Sequence, residues 1–185
     1  MKNFLRDALI TLTIAVIIFL GLQMTVQKFV VQGPSMNPSF NNGQLLLVNK
    51  VVYKFHEPER GDVIVFHPPE YMNGDLIKRI IGLPNETVQI EDGVVYIHKD
   101  GEVFPLDEPY ITETILGDFN GVTIPPGEYF VLGDNRNNSS DSRSGWTTPR
   151  ENIIGKVWLS IWPPGDWGLA ANYSLQGQIS NASSN

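Results

Sequence analysis

An uncharged apolar run over residues 8–24, ALITLTIAVIIFLGLQM, limits this chain more than any other feature. It holds about 17 residues, enough for a bilayer-spanning helix and more than the apolar core of a cleavable secretory signal, which reaches about 15. No small-x-small cleavage pattern follows, since the next residues are Thr25, Val26, Gln27 and Lys28. A buried helix of a soluble protein would show polar residues along one face, and this run does not. The run reads as a transmembrane signal anchor over residues 8–27. Lys2 and Arg6 precede it and only Lys28 closely follows, so the positive-inside tendency puts residues 1–7 in the cytoplasm. The remainder then lies on the extracytoplasmic side of a plasma, thylakoid or other organelle membrane, attached by a single pass.

Past the anchor the pattern changes to that of a β protein. The chain has 13 prolines, which punctuate it too often for a helical bundle. Apolar and alternating segments place strands at 44–49, 62–66, 76–81, 87–91, 94–98, 129–132 and 153–162. Asp92-Gly93 and Asp100-Gly101 are hairpin signals, because both residues of each pair accept positive φ. The expectation is a mainly β fold of antiparallel strands forming one domain over 28–172. The tail 173–185 is rich in Ser, Asn, Gln and Gly and has too little apolar surface to offset its ordering entropy, which predicts disorder. The 185 residues carry 13 Lys and Arg against 20 Asp and Glu, a formal charge of -7 that repels nucleic-acid phosphate. There is no cysteine, hence no disulfide framework and no thiolate metal site.

Three segments carry possible chemistry. Gly33-Pro34-Ser35-Met36-Asn37-Pro38 forms a turn just past the anchor that could present the Ser35 hydroxyl and amide together. Alone, a serine in such a turn is an ordinary turn residue. The strand 76–81 contains Lys78-Arg79 among apolar neighbours, and alternation puts Lys78 on one face with Leu76 and Ile80 and Arg79 on the other with Ile77 and Ile81. A lysine surrounded by apolar groups loses its proton more readily and can act as a base, whereas an arginine stays charged. Charges on an edge strand that discourage pairing would give the same pattern. The run 133–143, GDNRNNSSDSR, fits either a solvated loop or a buried polar network in which Asp141 pairs with Arg143.

Together with Gly61-Asp62-Val63-Ile64-Val65-Phe66, these segments resemble, in order and spacing, the boxes of the type I signal peptidases, serine-lysine proteases that remove signal peptides from exported preproteins. The resemblance extends from the anchor to about Trp162. It implies Ser35 as nucleophile, Lys78 as general base, Ser139 as the hydroxyl that orients the lysine, and Asp141 and Arg143 as the residues holding the site together, with Gly133 beside the lysine. Val31, Met36, Phe40, Leu76 and Ile77 fall where the family lines shallow pockets for small residues preceding the cut. The implied fold is an antiparallel β catalytic core with a smaller inserted β subdomain, here about 87–127, and the implied partners are signal peptides and the lipid bilayer, with no cofactor. Three positions depart from the family pattern: Gly33 replaces a serine found in some members, Asn137 stands where aspartate is commoner, and Asn85 follows Gly82-Leu83-Pro84 where glycine is usual.

Competing readings have distinct signatures. His56, His67 and His98 show no paired helical spacing and no carboxylate motif, so zinc hydrolysis lacks support. A Ser-His-Asp triad would need one of these histidines at Ser35. A related serine-lysine membrane peptidase would share the dyad and differ in substrates. A catalytically silent, membrane-tethered β module would fold normally and leave Ser35 unreactive.

Overall fold

The computed structural model describes residues 2–175 and 177–180, apart from the side chains of residues 2, 3, 19, 20, 22, 24 and 180. The apolar run lies in helix α1 (Lys2–Thr25), which leads directly into β1 (Val26–Val30), so Val26 and Gln27 belong to the sheet and not to the helix. Phe4, Leu5, Leu9, Ile10, Leu12, Ile14, Val16, Ile17 and Ile18 of α1 are exposed. Among the described residues no helix is long and apolar enough to cross a membrane.

The other strands are β2 (Leu45–Asn49), β3 (Val63–Phe66), β4 (Leu76–Gly82), β5 (Thr87–Glu91), β6 (Val94–Lys99), β7 (Glu102–Pro105), β8 (Phe119–Thr123), β9 (Glu128–Leu132), β10 (Thr148–Pro149), β11 (Ile153–Trp162) and β12 (Gly168–Leu169). They form two antiparallel sheets, one in the order β1-β2-β11-β3-β4-β9-β10 with β12 against β11, the other in the order β7-β6-β5-β8. The fold is mainly β, as the alternation predicts.

Burial explains the placement. Every residue of β3 is buried, and β4 is buried from Ile77 to Gly82, as for strands covered on both faces. Alternation splits their side chains between two cores: Val63, Val65 and Ile77 join Met36 and Phe40, while Ile64, Phe66 and Ile80 join Tyr129 and Val131. The second sheet buries only one face, through Val88, Ile90, Val95 and Ile97, onto Ile81, Phe130 and Leu132 of the first sheet. Its two tight turns fall at Asp92-Gly93 and Asp100-Gly101, with φ of 49° and 78° and of 52° and 84°, the paired positive values that a two-residue hairpin loop needs.

Strands β1, β7, β8, β10 and β12 are additional to those legible in the pattern. They are either two residues long or interrupted by polar, Gly or Pro residues, and long-range pairing supplies what local propensity lacks. The tail also departs from expectation. Of residues 173–185, 176 and 181–185 lie outside the described set, but Leu175 and Ile179 are buried and α2 (Gly177–Ser180) places Ile179 in the core under the second sheet. A few apolar side chains spaced among polar ones suffice when a preformed groove receives them.

Gly82 lies at the junction of the two sheets, where a side chain would sit 2.3 Å from Ile124 Cδ1 and 2.5 Å from Val88 Cγ2. Gly82→Ala is expected to lower unfolding stability by about 1–3 kcal/mol through overpacking, measured by denaturant unfolding of the detergent-solubilised protein.

Candidate active site

The loop between β1 and β2 carries Ser35. Met36 and Phe40, both buried, fix it to the core on one side, and backbone bonds from Asn37 N–H to Pro34 O (3.0 Å) and from Phe40 N–H to Met36 O (2.9 Å) set its turns. The loop after β9 holds it from the other side. Asn135 donates its backbone N–H to Ser35 O at 3.0 Å and its side-chain amide to Pro34 O at 3.2 Å.

Lys78 comes from β4, paired opposite Ile64 of β3, and is 3% exposed. Its Nζ lies 2.8 Å from Ser35 Oγ and donates to Ile77 O at 3.0 Å. Burial pushes the lysine pKa down from 10.5 to about 8, against the charges of Asp141 and Asp134, which pull it up. A primary amine held largely dry and touching a hydroxyl has the geometry that a base needs to activate a nucleophile.

The polar run 133–143 builds a buried network through Asp134, Arg136, Asp141 and Ser142, while Asn137, Asn138 and Ser140 between them are exposed. Asp141 is buried, accepts Gly133 N–H at 3.1 Å, and takes two bonds from the Arg143 guanidinium at 2.8 and 2.9 Å. Arg143 also donates to Arg136 O at 2.6 Å. Gly133 packs so closely that a side chain there would fall 2.3 Å from Ser139 Oγ and 2.5 Å from Ser35 O. The Ser139 hydroxyl is thus beside the serine loop, yet it is buried without a hydrogen-bond partner, and the carbonyl of Ile77 takes the second lysine bond.

An open cleft of ≈ 420 Å³ leads to the pair, lined by β1 residues Gln27 to Val30, by Ser35, and by Leu76, Ile77 and Lys78 of β4. Leu76 and Ile77 line it directly. Val31, Met36 and Phe40 instead lie beneath it, buried in one cluster with Ile77 and Phe29. The β1 wall and the rim residues Asn73, Gly74 and Asp75 are not evident from sequence, because β1 has no clear alternation.

Sequence reasoning also overlooks the partner of Arg79. Its guanidinium is fully buried and bonds Asp134 through two nitrogens at 2.9 and 2.6 Å. The available signal is that both cations of an apolar strand need a reason to be buried, and Arg79, unable to lose its charge, needs an anion. Of the histidines, His67 pairs with Asp75 at 2.7 Å on the exposed rim and His98 with Gln89 at 2.8 Å on the second sheet. It is Lys78 whose nitrogen meets Ser35 Oγ.

Comparison with known proteins gives a consistent picture. Residues 4–162 match the family model described as signal peptidase, peptidase S26. The chain is 38% identical over 181 residues to a probable signal peptidase I-1 of Synechocystis, covering 94% of this chain and 90% of that protein. It is 37% identical over 155 residues to signal peptidase I of Bacillus licheniformis, covering 78% and 81%. It is 33% identical over 182 residues to signal peptidase IB of Staphylococcus aureus, covering 88% and 92%. A crystal structure of a signal peptidase I from Enterococcus faecalis V583 aligns with 55% of this chain and 97% of its own, at 34% identity and a TM-score of 0.47.

The depressed lysine pKa has two measurable consequences. If Lys78 is the base, kcat/KM should fall about tenfold per pH unit below about 8 and level off above it, because only the neutral amine accepts a proton. The folded state also pays for holding Lys78 charged. That penalty is complete below pH 8 and disappears between pH 8 and 10.5 as the unfolded chain loses the same proton. Lys78→Met should therefore raise stability at pH 7 by about 1–3 kcal/mol, with the gain shrinking across that window in denaturant titrations.

Proposed function

The chain belongs to the signal peptidase S26 family, and on that premise we propose that Ser35 and Lys78 perform its peptidase chemistry. The protein is a serine endopeptidase of the signal peptidase I class, acting on the signal peptides of preproteins. The observation that carries the dyad reading is the 2.8 Å approach of a buried lysine amine to Ser35 Oγ.

Neutral Lys78 takes the Ser35 proton as Oγ bonds to the carbonyl carbon before the scissile bond. The Ser35 N–H donates to the developing oxyanion, held in position by the Asn135 grip on the same residue. When the tetrahedral intermediate collapses, the C–N bond breaks and the Lys78 ammonium returns its proton to the leaving amine. A water molecule, deprotonated by Lys78, then hydrolyses the ester and regenerates Ser35.

The substrate enters as an extended strand. Among the described residues β1 pairs with β2 along one edge only, and residues 76–78, paired with β3 on one side, precede the start of the β9 ladder at Arg79 and so have no strand partner on their other side. A peptide between these walls gains main-chain hydrogen bonds from both. Val31, Met36 and Phe40 pack in one cluster with Phe29 and Ile77, which supports a cleft floor with room for only small side chains preceding the cut. Ser139 serves the lysine through its hydroxyl once the cleft is occupied, and Asp141 with Arg143 keeps the loop closed.

The same reading attaches the chain to a lipid bilayer through α1 in a single pass, with residues 1–7 cytoplasmic and the sheets extracytoplasmic. The uncharged run 8–24 and the exposed apolar side chains of α1 support it, as do Thr11 and Thr13, whose hydroxyls donate to Asp7 O (2.9 Å) and Leu9 O (2.8 Å) and so carry no unmet donors into lipid.

Two experiments test these proposals. In detergent, Ser35→Ala and Lys78→Ala should each abolish cleavage of a preprotein that the wild type cuts, and a mechanism-based acylating inhibitor should label Ser35; robust turnover by either variant would sink the dyad. After alkaline extraction of expressing cells, the full chain should stay with the membrane pellet. Release to the supernatant would refute the anchor.

A further inference from the structure

We infer that residues 171–175 are a positioning strap for the Ser35-Lys78 pair, with Tyr173 its positioning residue; the inference rests on the dyad reading above. The segment lies over Arg79, the neighbour of Lys78 in β4. One nitrogen of the Arg79 guanidinium, Nη1, donates both to Gly61 O and to Ala171 O, each at 2.8 Å. The Tyr110 ring covers the guanidinium at 4.0 Å and the Tyr173 ring at 5.2 Å, and the two rings are 5.0 Å apart. The strap therefore completes the hydrogen bonding of a buried cation and excludes water from it.

Two features show that the fold is shaped to receive this segment. Gly61 has φ of +95°, and a Cβ there would stand 1.6 Å from Tyr173 O, so only glycine leaves room. Tyr173 N–H in turn reaches Gly61 O at 3.3 Å. Asn172 inserts its side chain where the β3–β11 ladder stops after Ile64 and Lys156, accepting Val63 N–H at 2.8 Å and donating to Val157 O at 3.0 Å.

The route to the nucleophile is short. Arg79 grips Asp134, and the next residue, Asn135, holds the carbonyls of Ser35 and Pro34. Lifting the strap admits water to the Arg79-Asp134 pair, where it replaces Ala171 O as acceptor and screens the pair. The grip on Asp134 slackens, and with it the placement of Ser35 Oγ against Lys78 Nζ. A strap that acts this way affects the chemical step and leaves the cleft intact.

The test uses the full-length protein in detergent, with active sites counted by Ser35 acylation and turnover measured on one preprotein. Tyr173→Ala should lose about tenfold or more in kcat per labelled site, with KM within about twofold. Tyr173→Phe, which keeps the ring over Arg79, should match the wild type. Should Tyr173→Ala not fold, Tyr173→Leu, with apolar bulk but no π face, carries the same expectation. Unchanged kcat per labelled site, a change confined to KM, or failure of Tyr173→Phe to restore the rate would overturn the strap, even if thermal stability dropped. Absence of Ser35 labelling in the wild type would overturn the dyad itself.

Discussion

Keeping Lys78 nearly dry beside Ser35 is the constraint on which the rest of the structure turns. A central strand does this well, because β4 is flanked by β3 and β9 and buried for most of its length. The lysine nevertheless sits near two carboxylates, Asp134 and Asp141, that would restore its charge. Each is bound by two nitrogens of its own guanidinium, Asp134 by Arg79 and Asp141 by Arg143. The lysine therefore meets ion pairs in place of bare anions, and desolvation stays the larger influence. The carboxylates can then shape the loop after β9 while the lysine pKa stays lowered.

The second sheet takes part in this arrangement, although it contributes no residue to the dyad. Its loop before β8 supplies Glu108, which pairs with buried Arg136, and Tyr110, which covers Arg79. At its entry, Glu86 pairs with buried Arg60 at 2.7 Å, and the same arginine donates to Ile81 O in the lysine strand. These contacts are polar, directional and dry, so they fix one relative placement of the two sheets where apolar packing alone would permit sliding. The site thus stands on a frame tied together from both sheets.

How much of this was legible depends on range. The Asp-Gly hairpins and the buried strands follow from local rules, and the structure has them where the pattern puts them. Ser35 and Lys78, 43 residues apart, were legible only through the ordered boxes, since a turn serine and a strand lysine are each unremarkable. The Arg79-Asp134 pair, the β1 wall of the cleft and the 171–175 segment were not legible, because each depends on a partner far along the chain. The tail shows the physics most clearly. Its composition cannot support an independent fold, yet a few side chains gain enough from existing grooves to order the described part.

The three departures from the family pattern then become local answers to local geometry. Asn85 sits at φ of 68°, in the left-handed region where asparagine is among the few tolerated alternatives to glycine. Asn137 accepts Leu116 N–H at 2.9 Å and donates its amide to Thr114 O at 3.0 Å. An aspartate could accept the first bond but, lacking N–H groups, could not make the second, so asparagine suits a chain whose loop between β7 and β8 docks here. Gly33 has φ of 80° and donates its N–H to Asn42 Oδ1 at 2.8 Å. A serine would be strained in that conformation, although a Cβ there meets no neighbouring atom, so this loop geometry favours glycine over a side-chain hydroxyl at this position. In the proposed mechanism, oxyanion stabilisation then falls on the backbone of Ser35, and the rigidity of its loop, set by Asn135 and by everything that holds Asp134 in place, carries correspondingly more of the catalysis.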